Sequence, residues 1–234
     1  MANSITRHLP NTLTCLNLFC GCMASVMAFR LNYDYALLFI IFSAVFDFFD
    51  GMAARTLNAY SLIGKDLDSL ADDVSFGVAP SVIVFSLLTE MNYPSGWGSA
   101  AVWLPYAAFL ISVFSALRLA KFNNDTRQTT SFIGLPVPAN ALFWASLVAG
   151  SHDWLLASVH PLWLVAGVCL FSWLLVSEIP MFSLKFKHWT WKENRVSYSF
   201  LLLCIPLLVF LKTVGFAAVI VWYILLSLFT QKRK

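Results

Sequence analysis

Long apolar stretches separated by short polar breaks make up most of this chain. They lie at about 13–31, 35–54, 70–90, 99–121, 136–152, 158–179, 196–212 and 213–230. Because roughly 20 helical residues cross the hydrocarbon core of a bilayer, the pattern predicts an all-α polytopic membrane bundle of about eight transmembrane helices. The last two stretches have two interpretations: two short spans joined at 212–215, or one longer helix that is kinked at Pro206.

Composition supports a membrane protein. Of 234 residues, 59% are hydrophobic and 12% charged, with a mean hydropathy of +0.75, which is outside the balance of soluble domains. We expect a single membrane domain over 1–234, with a catalytic core at about 8–180 and a C-terminal helical hairpin at about 196–230. The five cysteines lie in predicted spans without a CxxC pair, so we interpret them as core residues. Membrane lipids are the expected partners, and no nucleic acid is expected.

Positive charge predicts the orientation. If eight spans follow a cytoplasmic N-terminus, all of the 15 Lys and Arg residues except Arg30 and Lys212 fall on the cytoplasmic side. We therefore expect a multi-pass membrane protein, in the inner membrane if it is bacterial. Residues 47–73 then lie at the cytoplasmic face.

The stretch 47–73 holds six of the 12 acidic residues, although a carboxylate in or near a bilayer is costly unless it is paired, hydrated or bound to a cation. At about 100° per residue, one face of the first helix carries Asp47, Asp50, Gly51, Ala54 and Arg55. On the next helix Gly64, Asp68 and Asp72 share a face, whereas Asp66 and Asp73 lie on the opposite side.

If these two faces meet, four carboxylates converge around a polar cavity between the second and third helices. Their oxygens suit Mg²⁺, Mn²⁺ or Ca²⁺, and two such ions would stabilise the attacking and leaving oxygens of a phosphoryl displacement. The small residues Gly51, Ala54 and Gly64 leave room for a nucleotide, or alternatively allow close helix packing.

The spacing DxxDGxxAR(x8)GxxxDxxxD, complete from Asp47 to Asp72, resembles the signature of the CDP-alcohol phosphotransferases. The resemblance implies an integral membrane enzyme that transfers the phosphatidyl group of a CDP-linked lipid to an alcohol and releases CMP. It implies divalent metal ions, with two Mg²⁺ or Mn²⁺ expected and Ca²⁺ as the alternative. The implied metal ligands are Asp47, Asp50, Asp68 and Asp72, the implied nucleotide contacts are Gly51, Ala54, Arg55 and Gly64, and Asp72 is the implied general base.

Four flanking stretches, LPNTLTCLNLFCG, GKDLDSLADDVSFGVAPS, SALRLAKFN and FIGLPVPANA, are similar to the phosphatidylserine synthase branch of this family. They imply CDP-diacylglycerol and L-serine as substrates, with a CDP-diacylglycerol–serine O-phosphatidyltransferase activity. The resemblance to the family further implies that the protein is a homodimer. The chain departs from this branch at Asp66 and Asp73, which lie off the predicted site.

Serine is a zwitterion, so its carboxylate needs a cationic partner. Arg118 and Lys121 are one helical turn apart and are our candidates, with cytoplasmic anchoring as the alternative and Ser75 as a weaker candidate. Polar residues Asn11, Thr14 and Asn17 recur every third residue on the first helix, and we favour interhelical hydrogen bonds over pocket contacts for them.

Two other functions remain open. The acceptor could be glycerol 3-phosphate or inositol phosphate, although a phosphorylated acceptor should require a denser basic pocket. Intramembrane acids also bind coupling ions in transporters, but there they are spread in depth, whereas here they crowd one end of two helices.

Overall fold

The computed structural model describes residues 4–125, 132–181 and 195–231, which are mostly helical. The helices are α1 (Ser4–Phe29), α2 (Tyr33–Thr56), α3 (Leu62–Asp73), α4 (Ala79–Glu90), α5 (Ser99–Trp103), α6 (Leu110–Asn124), α7 (Val137–Ser158), α8 (Pro161–Val176), α9 (Arg195–Leu211) and α10 (Val214–Gln231). Two short strands, β1 (Phe132–Ile133) and β2 (Pro180–Met181), pair antiparallel. Apart from this pair of short strands, the described residues confirm the predicted all-α class.

Within the described ranges, four continuous helical stretches are long and apolar enough to cross a membrane: His8–Phe29, Tyr33–Thr56, Leu62–Glu90 and Ser99–Asn124. Shorter apolar helices cover Pro161–Val176, Ser197–Leu211 and Val214–Phe229. Many large apolar side chains on these helices are exposed, as is expected where a protein surface faces lipid. Helices also suit this environment because they satisfy their own backbone hydrogen bonds. The protein is therefore a membrane helix bundle.

The third stretch, Leu62–Glu90, lies at the centre of the bundle. In its most apolar window 67% of the residues are buried, against 22–33% in the other three stretches. Its second half, α4, contacts α1, α6 and α7. The helix α4 is apolar around its circumference and can therefore be buried on every side. The buried Ser81 hydroxyl is satisfied because it donates to the Gly77 backbone oxygen, four residues earlier.

A π-helical turn, Val74–Val78, directly follows Asp72 and Asp73 and joins α3 to α4. Such a turn widens the helix by one residue and often occurs at functional sites. The first helix approaches this turn closely at Gly21, where any side chain would overlap the Ser75 hydroxyl. The absence of a side chain at Gly21 thus allows α1 to pack beside the acidic residues of α3.

The C-terminal segment forms two helices, α9 and α10, which separate at Lys212–Thr213 and pack against each other. Of the two arrangements left open by the sequence, the structure therefore has the two-helix one, with Pro206 inside α9. The helix α10 also contacts α7, which attaches the hairpin to the rest of the bundle. Much of the positive charge that predicted the orientation, at 126–131, 182–194 and 232–234, lies outside the described residues.

Candidate active site

Three aspartates from two helices come together at one end of the bundle. One carboxylate oxygen each from Asp47 and Asp50 on α2 and Asp68 on α3 lie within 4.8 Å of one another. Asp50 is 5% exposed and the other two are half-buried. Because like charges this close repel, and because oxygen ligands suit hard cations, these residues fit a divalent metal ion.

The fourth predicted acid, Asp72, lies beside this group rather than within it. Its charge interacts with those of Asp47 and Asp68. Asp66 is exposed, and Asp73 is directed instead towards the close contact between Gly77 and Ser115. The helical periodicity predicted four converging acids with Asp66 and Asp73 apart from them. In the structure three of the four form one group and Asp72 lies adjacent to it.

The first helix holds two of these acids through hydrogen bonds. The Thr14 hydroxyl donates to Asp50 Oδ2 at 2.7 Å, and Asn17 Nδ2 donates to Asp72 Oδ1 at 3.0 Å. The interhelical bonds expected for the polar repeat on α1 are therefore present at Thr14 and Asn17, whereas Asn11 and Thr14 also line a cavity, the alternative that the sequence did not favour. Their partners were not predicted, because the repeat shows which residues face the bundle but not what they meet there.

A cavity of 630 Å³ opens beside Asp50 and Asp68. It is lined by Pro10, Asn11 and Thr14 of α1, Asp50, Gly51, Ala54 and Arg55 of α2, the connecting residues Ala59, Tyr60 and Ser61, and Leu62, Gly64, Lys65 and Asp68 of α3. The prediction of a cavity between the second and third helices was incomplete, since α1 supplies one wall. All four predicted nucleotide contacts line the cavity, and its volume is in the usual range for ligand pockets.

The two glycines of the cavity differ in what surrounds them. A side chain at Gly51 would meet nothing nearer than Arg55 Nη2 at 3.8 Å, whereas one at Gly64 would lie 2.9 Å from Ser61 Oγ and 3.0 Å from Asn11 Oδ1. Helix packing therefore accounts for the small residue at Gly64 but not at Gly51. The open space at Gly51 belongs to the cavity.

Arg55 is held against the cavity by its own helix, because its Nε donates to the Gly51 backbone oxygen at 2.9 Å. The start of α3 is fixed in the same way by Ser61, whose hydroxyl accepts from the Gly64 backbone nitrogen at 2.9 Å. These local bonds set two walls of the cavity before any ligand binds.

The three residues predicted to bind serine lie in different environments. Arg118 on α6 is 7% exposed, its Nε has no hydrogen-bond partner among the described residues, and its charge interacts with Tyr223 and, less strongly, with Asp72. Lys121 is exposed and forms an ion pair with Glu178 at 2.7 Å. Ser75 is fully buried and donates to the Asn17 backbone oxygen at 3.0 Å. Of these three residues, Arg118 alone combines burial, an unmet donor and a charge interaction with Asp72.

Sequence comparison relates this chain to known proteins. Residues 7–173 match the sequence model of the CDP-alcohol phosphatidyltransferase family. A Bacillus subtilis protein named CDP-diacylglycerol–serine O-phosphatidyltransferase is 37% identical over 185 residues, covering 77% of this chain and 90% of its own length. Proteins of the same name from Mycobacterium leprae and Helicobacter pylori are 35% and 32% identical, covering 74% and 78% of this chain and 57% and 75% of their own lengths.

Proposed function

The chain belongs to the CDP-alcohol phosphatidyltransferase family, and we propose that it transfers the phosphatidyl group of CDP-diacylglycerol to the hydroxyl of L-serine. The products are phosphatidylserine and CMP. The observation that carries this proposal is the group of three aspartates at the edge of a cavity lined by all four signature residues expected to contact the nucleotide. The names of the relatives support serine as the acceptor.

We propose that Asp47, Asp50 and Asp68, together with the adjacent Asp72, hold two divalent ions, Mg²⁺ or Mn²⁺. Such ions, when bound, supply positive charge that neutralises the pyrophosphate and the departing phosphate. The spacing of the three carboxylates fits this use because their oxygens are close enough to share a cation.

The chemical step needs a base, because an aliphatic hydroxyl is a poor nucleophile at neutral pH. Asp72 accepts the proton of the serine hydroxyl as that oxygen attacks phosphorus. The new bond between the serine oxygen and phosphorus forms, the bond from phosphorus to the CMP oxygen breaks, and the electron pair leaves with CMP. Arg55, at the cavity wall, offers guanidinium donors to a phosphate oxygen of the nucleotide.

Arg118 is the residue we assign to the serine carboxylate. A buried guanidinium with an unmet donor is costly, and a carboxylate that accepts from it in bidentate geometry removes that cost. The charges of Arg118 and Asp72 interact, and Arg118 lines a small separate pocket with Lys121 and Glu178 rather than the 630 Å³ cavity. Roles for Lys121 and Ser75 stay predictions with less support, because both groups already have partners.

The lipid enters, we propose, through the side of the bundle. Tyr60 and Leu62 line the cavity and are 71% and 85% exposed, so its rim is apolar where it meets the surroundings. A diacylglycerol could therefore remain in the bilayer while its CDP headgroup occupies the cavity. The homodimer implied by the family resemblance stays a prediction.

We further propose eight membrane crossings, with the aspartates at the cytoplasmic face and, in a bacterial cell, in the inner membrane. The four long apolar stretches, the three shorter ones and α7 would make up the eight. The positions of the Lys and Arg residues along the sequence support the orientation.

The test is CMP release from CDP-diacylglycerol by the purified protein in detergent with Mn²⁺ or Mg²⁺. Serine, glycerol 3-phosphate and inositol phosphate are supplied separately. We expect release that depends on serine, and a fall in kcat of about 10²–10⁴-fold in Asp72→Asn because the base is removed. Asp66→Asn, on the exposed side of the same helix, is the matched control and should retain activity. Turnover only with a phosphorylated acceptor would refute serine, and no turnover with any acceptor would refute the whole proposal.

A further inference from the structure

Asn17 lies at the centre of a buried hydrogen-bond network that joins three parts of the bundle. Its Nδ2 donates to Asp72 Oδ1 at 3.0 Å, and the Ser43 hydroxyl of α2 lies 2.5 Å from its Oδ1. The Ser75 hydroxyl, in the π-helical turn, donates to its backbone oxygen at 3.0 Å. Asn17, Ser43 and Ser75 are all 0% exposed, so water does not compete for these bonds.

The chemistry of the partners sets the orientation of the Asn17 side chain. A carboxylate only accepts hydrogen bonds, so the amide nitrogen must face Asp72. The amide oxygen then faces the Ser43 hydroxyl, which lies 2.5 Å from it and 2.9 Å from the Asn17 backbone oxygen and shares its one proton between these two acceptors. With both ends of the amide occupied, rotation of the side chain by half a turn would break two buried bonds, which is costly.

This network reaches Asp72, which lies beside the group of three aspartates rather than within it. From these contacts we infer that Asn17 is a positioning residue, which fixes one carboxylate oxygen of Asp72 so that the other is presented to the acceptor hydroxyl. The inference rests on the proposed function of Asp72 as the base. Asn17 itself touches neither the three grouped aspartates nor the cavity wall among its described contacts.

The inference predicts a specific kinetic defect. Asn17→Leu, which removes the amide but keeps a side chain of similar size, should lower kcat by about 10–100-fold, as loss of an orienting partner usually does. The KM values for serine and CDP-diacylglycerol should stay within about threefold of wild type, and saturating Mn²⁺ should not restore kcat. Ser43→Ala removes the bond that orients the amide without altering Asn17 and should show a smaller defect of the same kind.

Ser146→Ala is the matched control for Ser43→Ala. Ser146 is also 0% exposed, but its hydroxyl donates to the Leu142 backbone oxygen of its own helix at 2.6 Å, so its loss breaks no bond between helices. We expect kcat near wild type for this variant.

A double-variant comparison separates positioning from general damage. If Asn17 acts through Asp72, adding Asn17→Leu to Asp72→Asn should lower the residual rate, measured with radiolabelled lipid, by less than about twofold. A further loss equal to that seen in the wild-type background would overturn the inference, as would rescue of Asn17→Leu by excess Mn²⁺ or wild-type kcat in both Asn17→Leu and Ser43→Ala. Absence of serine-dependent turnover in the wild type would instead refute the proposed function.

Discussion

Replacing Asp68 with Asn should stabilise the metal-free protein while impairing its function. Asp68 shares its site with Asp47 and Asp50, and oxygens of the three lie within 4.8 Å of one another. At that separation and an effective dielectric constant of about 20, each pair of charges repels by about 3 kcal/mol. Asparagine keeps the size of the side chain and removes its charge.

Hydration of the half-buried Asp47 and Asp68 reduces this repulsion, so we expect a net gain of about 1–2 kcal/mol. For a protein of this size that corresponds to a rise in melting temperature of about 2–8 °C in the presence of a chelator. With Mn²⁺ the order should reverse, because ion binding stabilises the wild type by about 2.7 kcal/mol at 100 times Kd, whereas the variant has lost one ligand.

The assay is thermal unfolding in detergent, followed by intrinsic tryptophan fluorescence with chelator and across a Mn²⁺ titration. Asp66→Asn is the control, since it removes the same charge two residues away at an exposed position and should behave as wild type in both conditions. A lower melting temperature of Asp68→Asn than of wild type with chelator, or equal Mn²⁺ shifts in the two proteins, would refute a shared cation site.

Two further predictions use the same CMP-release assay. Arg118→Met should raise the KM for serine by about 10–100-fold, because a charge-assisted hydrogen bond in a buried site is lost, whereas Lys121→Met should change it by less than about twofold. Equal effects of the two variants would refute the assignment of the serine carboxylate to Arg118. Gly51→Leu should raise the KM for CDP-diacylglycerol by about tenfold or more at an unchanged melting temperature, because the added side chain enters the cavity rather than a helix contact. A normal KM for this variant would show that the nucleotide lies elsewhere.

Local geometry explains how much of the site could be predicted. A helix turns about 100° per residue, so the positions of Asp47 and Asp50 on one helix, and of Asp68 and Asp72 on the next, follow from their spacing alone. The long apolar stretches predicted most of the helices, because the thickness of the bilayer sets the length of a membrane-spanning helix. The signature then identified the family, which the family match confirms.

Contacts between helices depend on how each helix is rotated and how closely it approaches its neighbours, and no spacing along the chain determines this. Gly21 lets α1 pack against Ser75, and that contact brings Asn17 to Asp72 and Thr14 to Asp50. The sequence by itself determined the membrane-bundle class, the acidic faces and the candidate residues. Only the tertiary structure decided that three acids form one group with Asp72 beside them, that α1 closes the cavity, and that Lys121 is paired with Glu178, because each is a contact between residues distant in the chain.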